Sequence, residues 1–365
     1  MRKLLLSILL GVGSLGTSLA QSDVADMLRF GTHDANLLIG AYVEPYAKGL
    51  GIGMNNSWYY TAETHKLWGF DLSISASAFN VPSSARTFDV NALGLKYLRA
   101  QPGNSIASTA AGDDNGGVTL YFDIKDQNTG AVLGTVPYFT TPGGSGEDII
   151  PVPIVQASFG LLPNTDIIGR YIPKVKFDID NEEANIGLWG IGIKHNIRQS
   201  LPLIKHLPID ISLFGAYSQM SGESTVHFDY TTYGLTNPAG YVRDPNQRGD
   251  LSSKNYKYGL IVSKKLAVIT FFASITNNNS KTTFGLLGKY PIPNPELVGT
   301  DVTDIDELLL SAMTEEEDPI KLSYNENYIG IDAGFRLKLA FFSLFGSVAK
   351  TDYVTYNAGL SFGFR

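Results

Sequence analysis

The chain has 365 residues, no cysteine, 38 glycines, 19 phenylalanines, 19 tyrosines and a formal net charge of −7. Without Cys there is no disulfide, no thiolate metal site and no cysteine nucleophile. The acidic balance, free of basic blocks, argues against a nucleic-acid partner.

Arg2 and Lys3, the apolar stretch Leu4 to Leu15 and the small-x-small site Ser18-Leu19-Ala20 predict a secretory signal peptide over residues 1–20. It is too short to span a membrane as a helix. Its removal would leave about 345 residues and take the charge from −7 to −9. Next, Val24, Met27, Leu28, Leu37, Leu38, Ala41 and Tyr42 recur at helical spacing, with Asp34 or Asn36 as a cap. They predict a helical, plug-like segment over 21–49, at the periplasmic mouth or inside a lumen. Residues 50–365 form the remaining domain. Leu50–Thr61 and Leu67–Asn80 are expected to pair as a hairpin around Glu63-Thr64-His65-Lys66. Phe88–Arg99 carries a second short helical pattern, and Val118–Lys125 a strand.

From Pro151 onward the pattern has period two. Ile167, Tyr171, Val175 and Phe177 oppose Arg170, Lys174, Lys176 and Asp178. Ile329, Ile331, Ala333 and Phe335 oppose Gly330, Asp332, Gly334 and Arg336. The last strand sets Val354, Tyr356, Ala358, Leu360, Phe362 and Phe364 against Thr355, Asn357, Gly359, Ser361 and Gly363. A soluble sandwich gives the same alternation, but the connections discriminate. Leu162–Thr165, Leu201–Pro208, Lys264-Lys265 and Lys338-Leu339 are short, whereas Gly222–Ser252 and Asn277–Leu322 are long and polar. Sorting of short and long loops is a property of outer-membrane barrels. With no apolar run long enough for a helical span, only a closed barrel satisfies the backbone in lipid. The expected fold is therefore all-β: a transmembrane antiparallel β-barrel of 12–14 strands, nine of them after about Pro151, with N-terminal helical segments at or in the lumen and both ends periplasmic.

Gly51–Val90 (GIGMNNSWYYTAETHKLWGFDLSISASAFNVPSSARTFDV) resembles the N-terminal region of an uncharacterised family of Gram-negative outer-membrane proteins. IIGRYIPKVKFDI and GLWGIGIKHNIRQSLPLIKHLPIDISLFGAY are similar to that family's barrel strands and to those of the FadL-type long-chain fatty acid transporter superfamily. The resemblance implies a barrel with an N-terminal plug that takes up hydrophobic compounds.

No His-x-x-x-His pair, nucleophile elbow, Walker or dinucleotide pattern occurs, so neither a cofactor nor a metal is expected and the chain reads as a non-enzyme. Asp113-Asp114-Asn115 and Asp301–Glu307 carry oxygen ligands for calcium without completing an EF-hand loop, and solvated loops are the simpler reading. On strand parity the lumen is basic. Arg170, Lys174, Lys194, Arg198, Lys257, Asp332 and Arg336 are the candidate ligand-binding residues, joined by Lys176, Lys338, Asp178 and Asp210. Two readings stand: the surplus favours an anionic headgroup, or inward charges pair with one another, as Arg198 with Asp210. The expected partners are outer-membrane lipid and a hydrophobic or amphipathic small molecule, carried passively. The alternative function is a structural or assembly-partner barrel that displays its long external loops to proteins or surface polymers.

Overall fold

The computed structural model describes residues 26–29, 31–125, 129, 131–179, 182–200, 206–294 and 312–364. The expected signal peptide and the acidic stretch Asp301–Glu307 lie outside them. In chain order the elements are helix α1 (Gly31–Met54), then strands β1 (Phe70–Asn80), β2 (Thr87–Asp89), β3 (Leu98–Ala100), β4 (Ile106–Ser108), β5 (Thr119–Lys125), β6 (Val132–Thr140) and β7 (Ile149–Leu162). They continue with β8 (Thr165–Ile179), β9 (Glu182–Asn196), β10 (Asp210–Thr225), β11 (Arg248–Leu266), β12 (Ile269–Leu287), β13 (Lys289–Pro293) and β14 (Met313–Glu317). The last three are β15 (Ile320–Leu339), β16 (Phe342–Lys350) and β17 (Val354–Phe364).

Ten antiparallel strands close into a barrel in the order β1-β17-β16-β15-β12-β11-β10-β9-β8-β7. The transmembrane barrel expected from the alternation is present, but it has ten strands rather than twelve to fourteen. All nine strands expected after Pro151 are in the wall, with β13 and β14 forming a separate pair, so the difference lies upstream. Leu50–Thr61 does not pair with β1: its first residues finish α1, and the rest runs inside the lumen. The strand expected near Val118 exists as β5, but it pairs with β3 and β6 in a separate three-stranded sheet. Phe88–Arg99 is not helical; a three-residue 3-10 turn separates β2 from β3.

Burial along the strands is inverted relative to a soluble protein. On β17, Tyr356 and Leu360 are 50% and 61% exposed, while Thr355, Asn357 and Ser361 are buried. Apolar side chains out and polar side chains in is the arrangement of a barrel in lipid. Aromatic rings mark both edges of that belt. Phe341 lies 4.5 Å from Phe364 at one edge, and Tyr217 lies 5.3 Å from Trp189 and 4.8 Å from Tyr256 at the other. Two-residue links at 163–164, 267–268 and 340–341 share one rim, each with one residue in the left-handed region: Asn164, Ala267 and Ala340. That rim is periplasmic. The opposite rim carries the insertion 81–148, the loop 226–247 and the β13–β14 hairpin.

A barrel of about eight strands is filled by its own side chains, so ten leave space for a guest. α1 occupies it. Leu38, Ile39, Tyr42, Leu50 and Ile52 are all buried, the pattern of a helix enclosed on every side. Glycines make the fit. A Cβ at Gly49 would lie 2.1 Å from the Phe79 ring, one at Gly51 2.5 Å from Ser280 Oγ, and one at Gly53 2.8 Å from Val152. Gly49→Ala gains helix propensity but collides with a buried ring, and overpacking of this kind is worth about 1–3 kcal/mol. It is expected to lower the urea midpoint of the folded barrel. Above α1 the external mouth is roofed. Met27, Leu28 and Leu38 pack with Leu98, Leu120, Phe228, Tyr233, Tyr290 and Ile292 in one apolar cluster.

Candidate functional site

The site is the lumen at and below the end of α1. Three consecutive aromatic residues of the plug meet three cations from three different strands. The Arg170 guanidinium of β8 lies 3.6 Å over the Trp58 ring, Lys257 of β11 5.1 Å over Tyr59, and Arg336 of β15 5.1 Å over Tyr60. Away from water such cation–π contacts strengthen. Arg170 is 2% exposed and also donates to the carbonyls of Met54 (2.9 Å) and Asn56 (2.6 Å) and to Gln156 Oε1 (2.9 Å). It ties the helix end to the wall.

A second anchor lies nearer the periplasmic rim. Lys194 Nζ is 3.1 Å from Asp166 Oδ2 and donates to the carbonyls of Glu63 (3.0 Å) and Thr61 (3.4 Å). Asp166 accepts from the His65 backbone N–H at 2.8 Å and sits 3.1 Å from His65 Nδ1, whose other ring nitrogen is 3.9 Å from Asp71. Ser212 donates to the Ala62 carbonyl and Ala62 N–H donates to Ser263 Oγ. Buried backbone groups of Thr61, Ala62, Glu63 and His65 in this extended leg thus find wall side chains, as burial requires.

Five of the seven sequence-derived candidates are buried in the lumen: Arg170, Lys194, Lys257, Asp332 and Arg336. The other two are not. Lys174 is exposed and pairs with Glu223 at 3.3 Å, because a register shift between Ile172 and Val175, at Pro173, reverses the strand's facing. Arg198 lies past the end of β9 and is 3.7 Å from Asp210, the pairing expected if the charges satisfy one another. Lys176 likewise turns outward, 3.6 Å from Glu183. Trp58, Tyr59, Tyr60, His65 and Asp166 were absent from the candidates. For Asp166 the signal was its even parity with Arg170; for the aromatic triplet it was a run of three large rings beside glycines.

Lys257 and Asp332 face a small hollow. Lys257, Asn278 and Tyr328 form one cross-strand row and Ser274 and Asp332 another; between them the row Gly259–Thr276–Gly330 has glycine at two of its three places. The hollow is also lined by Asn56 and has a cavity volume of about 10 Å³, room for about one water. Asp332 Oδ1 and the Tyr328 hydroxyl have no hydrogen-bond partner among the described residues. Such a polar space is suited to ordered water.

The seam between β7 and β8 is incomplete although both strands run past it. β7 and β8 pair only over Gln156–Leu162 and Thr165–Arg170. Beyond Arg170, β7 pairs with β1 and β8 with β9, not with each other. Proline chemistry explains this. Gly160 N–H donates to Gly69 O at 2.8 Å and Asp148 O accepts from Val81 N–H at 2.7 Å, so even-numbered residues of β7 turn their backbone groups toward β1. Odd-numbered ones face β8, and there Pro151 and Pro153 remove two donors. Continuing the register of Gln156 with Arg170 would set Pro153 opposite Pro173, a third missing donor. Tyr171, 66% exposed and paired with Trp189, places the start of the seam at the outer aromatic edge. Behind it lies an apolar floor of Val152, Leu188, Met220, Ile172 and Ile186, packed with Ile52 and Met54 of α1.

Among solved structures, the chain is similar to Ail, the attachment invasion locus protein of Yersinia pestis (8% identity, 82% of this chain and 100% of that one, TM-score 0.24). It is also similar to the translocator domain of the autotransporter NalP from Neisseria meningitidis (9%, 89% and 96%, TM-score 0.31). A third is the outer membrane transporter YddB from Escherichia coli (9%, 78% and 39%, TM-score 0.29). No curated protein matches in sequence. Closed wall, lipid-facing apolar belt and polar interior make this an outer-membrane β-barrel, and a family model matches it over residues 1–364: the chain belongs to the family of unknown function DUF6588.

Proposed function

We propose that the barrel is a passive route for hydrophobic or amphipathic small molecules across the outer membrane, with the β7–β8 seam as their way in. The seam is the observation that carries this reading. The external mouth is roofed by an apolar cluster, so a solute that partitions into the outer leaflet meets the wall before it meets the lumen. At the level of Tyr171 the wall lacks its ladder, and apolar side chains stand behind the gap. The likeness of the strand segments to the FadL-type superfamily points the same way.

The basic lumen residues have a reading that needs no anionic ligand. Arg170 and Lys194 are already engaged by plug carbonyls, Gln156 and Asp166, so they act first as plug anchors. Passage then requires α1 or the leg 55–66 to shift, not merely the lumen to be charged.

Restoring the missing donors tests the route. The double variant Pro151→Val/Pro153→Val is expected to extend the β7–β8 ladder and reduce uptake of a hydrophobic probe several-fold in cells, with the barrel still folded by its heat-dependent gel mobility. Unchanged uptake on deleting the whole gene would rule the transport reading out. The lumen filled by α1 favours the second reading, a display barrel. In that case neither deletion nor the seam variant alters uptake, while removal of the loop 226–247 abolishes binding to the partner.

A further inference from the structure

We propose that this barrel carries its own N-terminal segment through the lumen and presents it on the cell surface. Both ends of the chain were expected on the periplasmic side. The C-terminal end is there, since Phe364 pairs with Phe70 at the rim of two-residue turns. The first described residues, 26–29, are at the opposite rim. Met27 and Leu28, 1% and 0% exposed, are packed against Phe228, Tyr233, Tyr290 and Ile292, all from connections on the external rim. Arg29 Nη2 donates to the Tyr233 carbonyl at 3.4 Å.

From there the chain descends without turning back. Asn36 donates to the Pro319 carbonyl at 2.7 Å and accepts from Lys321 N–H at 2.9 Å, at the outer end of β15. The Tyr324 hydroxyl donates to Gly40 O at 2.8 Å, and Lys48 is 3.1 Å from Glu326. Asn55 then reaches the Asn279 carbonyl (3.3 Å), Tyr59 the Ser274 hydroxyl (2.7 Å) and Thr61 that of Ser263 (3.3 Å). Each partner lies closer than the last to the 267–268 turn. His65 meets Asp166 near the base of β8, and β1 starts upward at Phe70. At 1.5 Å per residue the 24-residue helix is about 36 Å long, enough to cross a hydrocarbon layer of about 30 Å.

An exported chain reaches the periplasm first. Residues 26–29 can therefore stand on the external side only by having passed through the space the barrel encloses. The lumen is shaped around this segment: glycines of α1 let it pass within contact of Phe79, Ser280 and Val152, and Arg170 and Lys194 bond its backbone carbonyls, Arg170 also lying over the Trp58 ring. A segment fused ahead of Asp26 would follow the same path outward.

The chain has no native cysteine, which makes the topology directly readable. Asp26→Cys, Val242→Cys in the loop 226–247 (Val242 is 84% exposed) and Ala340→Cys in a two-residue turn are each expressed in the full chain. A membrane-impermeant maleimide is then applied to whole cells. Asp26→Cys and Val242→Cys are expected to label on intact cells, and Ala340→Cys only after the outer membrane is permeabilised. An epitope placed after Gln21, detected by antibody on intact cells, gives a second readout should the roof shield position 26. If Val242→Cys labels on intact cells while Asp26→Cys and the epitope respond only after permeabilisation, threading is wrong. If Ala340→Cys labels on intact cells and Val242→Cys does not, the barrel is inverted and the inference falls with it.

Discussion

Arg170→Met should turn a sealed lumen into a conducting one. The substitution keeps the volume and the contact with Trp58 but removes every donor. It would leave the Met54 and Asn56 carbonyls and Gln156 Oε1 without their partner in a buried setting. An unsatisfied buried acceptor is worth about 1–3 kcal/mol, so a loss near 3–5 kcal/mol is expected, read as a lower urea midpoint. The same three contacts fix the junction between α1 and the leg below it. Their loss should therefore appear in planar bilayers as frequent openings where the native barrel stays quiet. A variant with native midpoint and native silence would show that the helix is held by its steric fit alone.

Asp166→Asn is expected to produce a loss of similar size by a different route. Asp166 is fully buried, 3.1 Å from the Lys194 ammonium and bonded to both the backbone and ring of His65. Removing one partner of a buried pair strands the other charge, worth about 3–5 kcal/mol, whereas replacing both is often nearly neutral. The double variant Asp166→Asn/Lys194→Met should consequently be more stable than the sum of the singles by more than 1 kcal/mol, measured as a double-mutant cycle in urea. Additivity would show that the two side chains act independently, and that His65 and the carbonyls of Thr61 and Glu63 hold the leg.

The wall after Pro151 was readable because its alternation is set by two solvents, lipid outside and a polar interior, and each strand reports both. The failures occurred where a third environment takes over. Gly51-Ile52-Gly53 followed by Trp58-Tyr59-Tyr60 has the glycine spacing and aromatic content of a strand. In the lumen, however, those glycines allow a helix to pass close to the wall, and the rings serve as platforms for cations. Phe88–Arg99 has helical spacing, but its apolar positions pack under a roof where short strands are held by tertiary partners. Lys174 fits the parity of Arg170 in sequence, and Pro173 between them reverses it. That proline was visible from the start. Its meaning was not, because it depends on lying across the seam from Pro151 and Pro153, a relation carried by register alone. The Arg198–Asp210 pairing was legible, since the two sit at the near ends of consecutive strands. The engagement of Arg170 by backbone carbonyls was not, since carbonyls have no letter in a sequence.

Strand β17, the last of the described strands in chain order, is the one that seals against β1, residue by residue from Phe70–Phe364 to Asn80–Val354. A ring fastened by its final stave becomes a lock on whatever it surrounds. The helix is therefore expected to be in position when that clasp shuts, since the wall closes in contact with it at Phe79, Ser280 and Val152. Helix and barrel should accordingly behave as a topological link: a chain refolded without residues 26–66 would not accept them later as a separate peptide, however tight the match. Order of assembly, as much as affinity, keeps the guest inside.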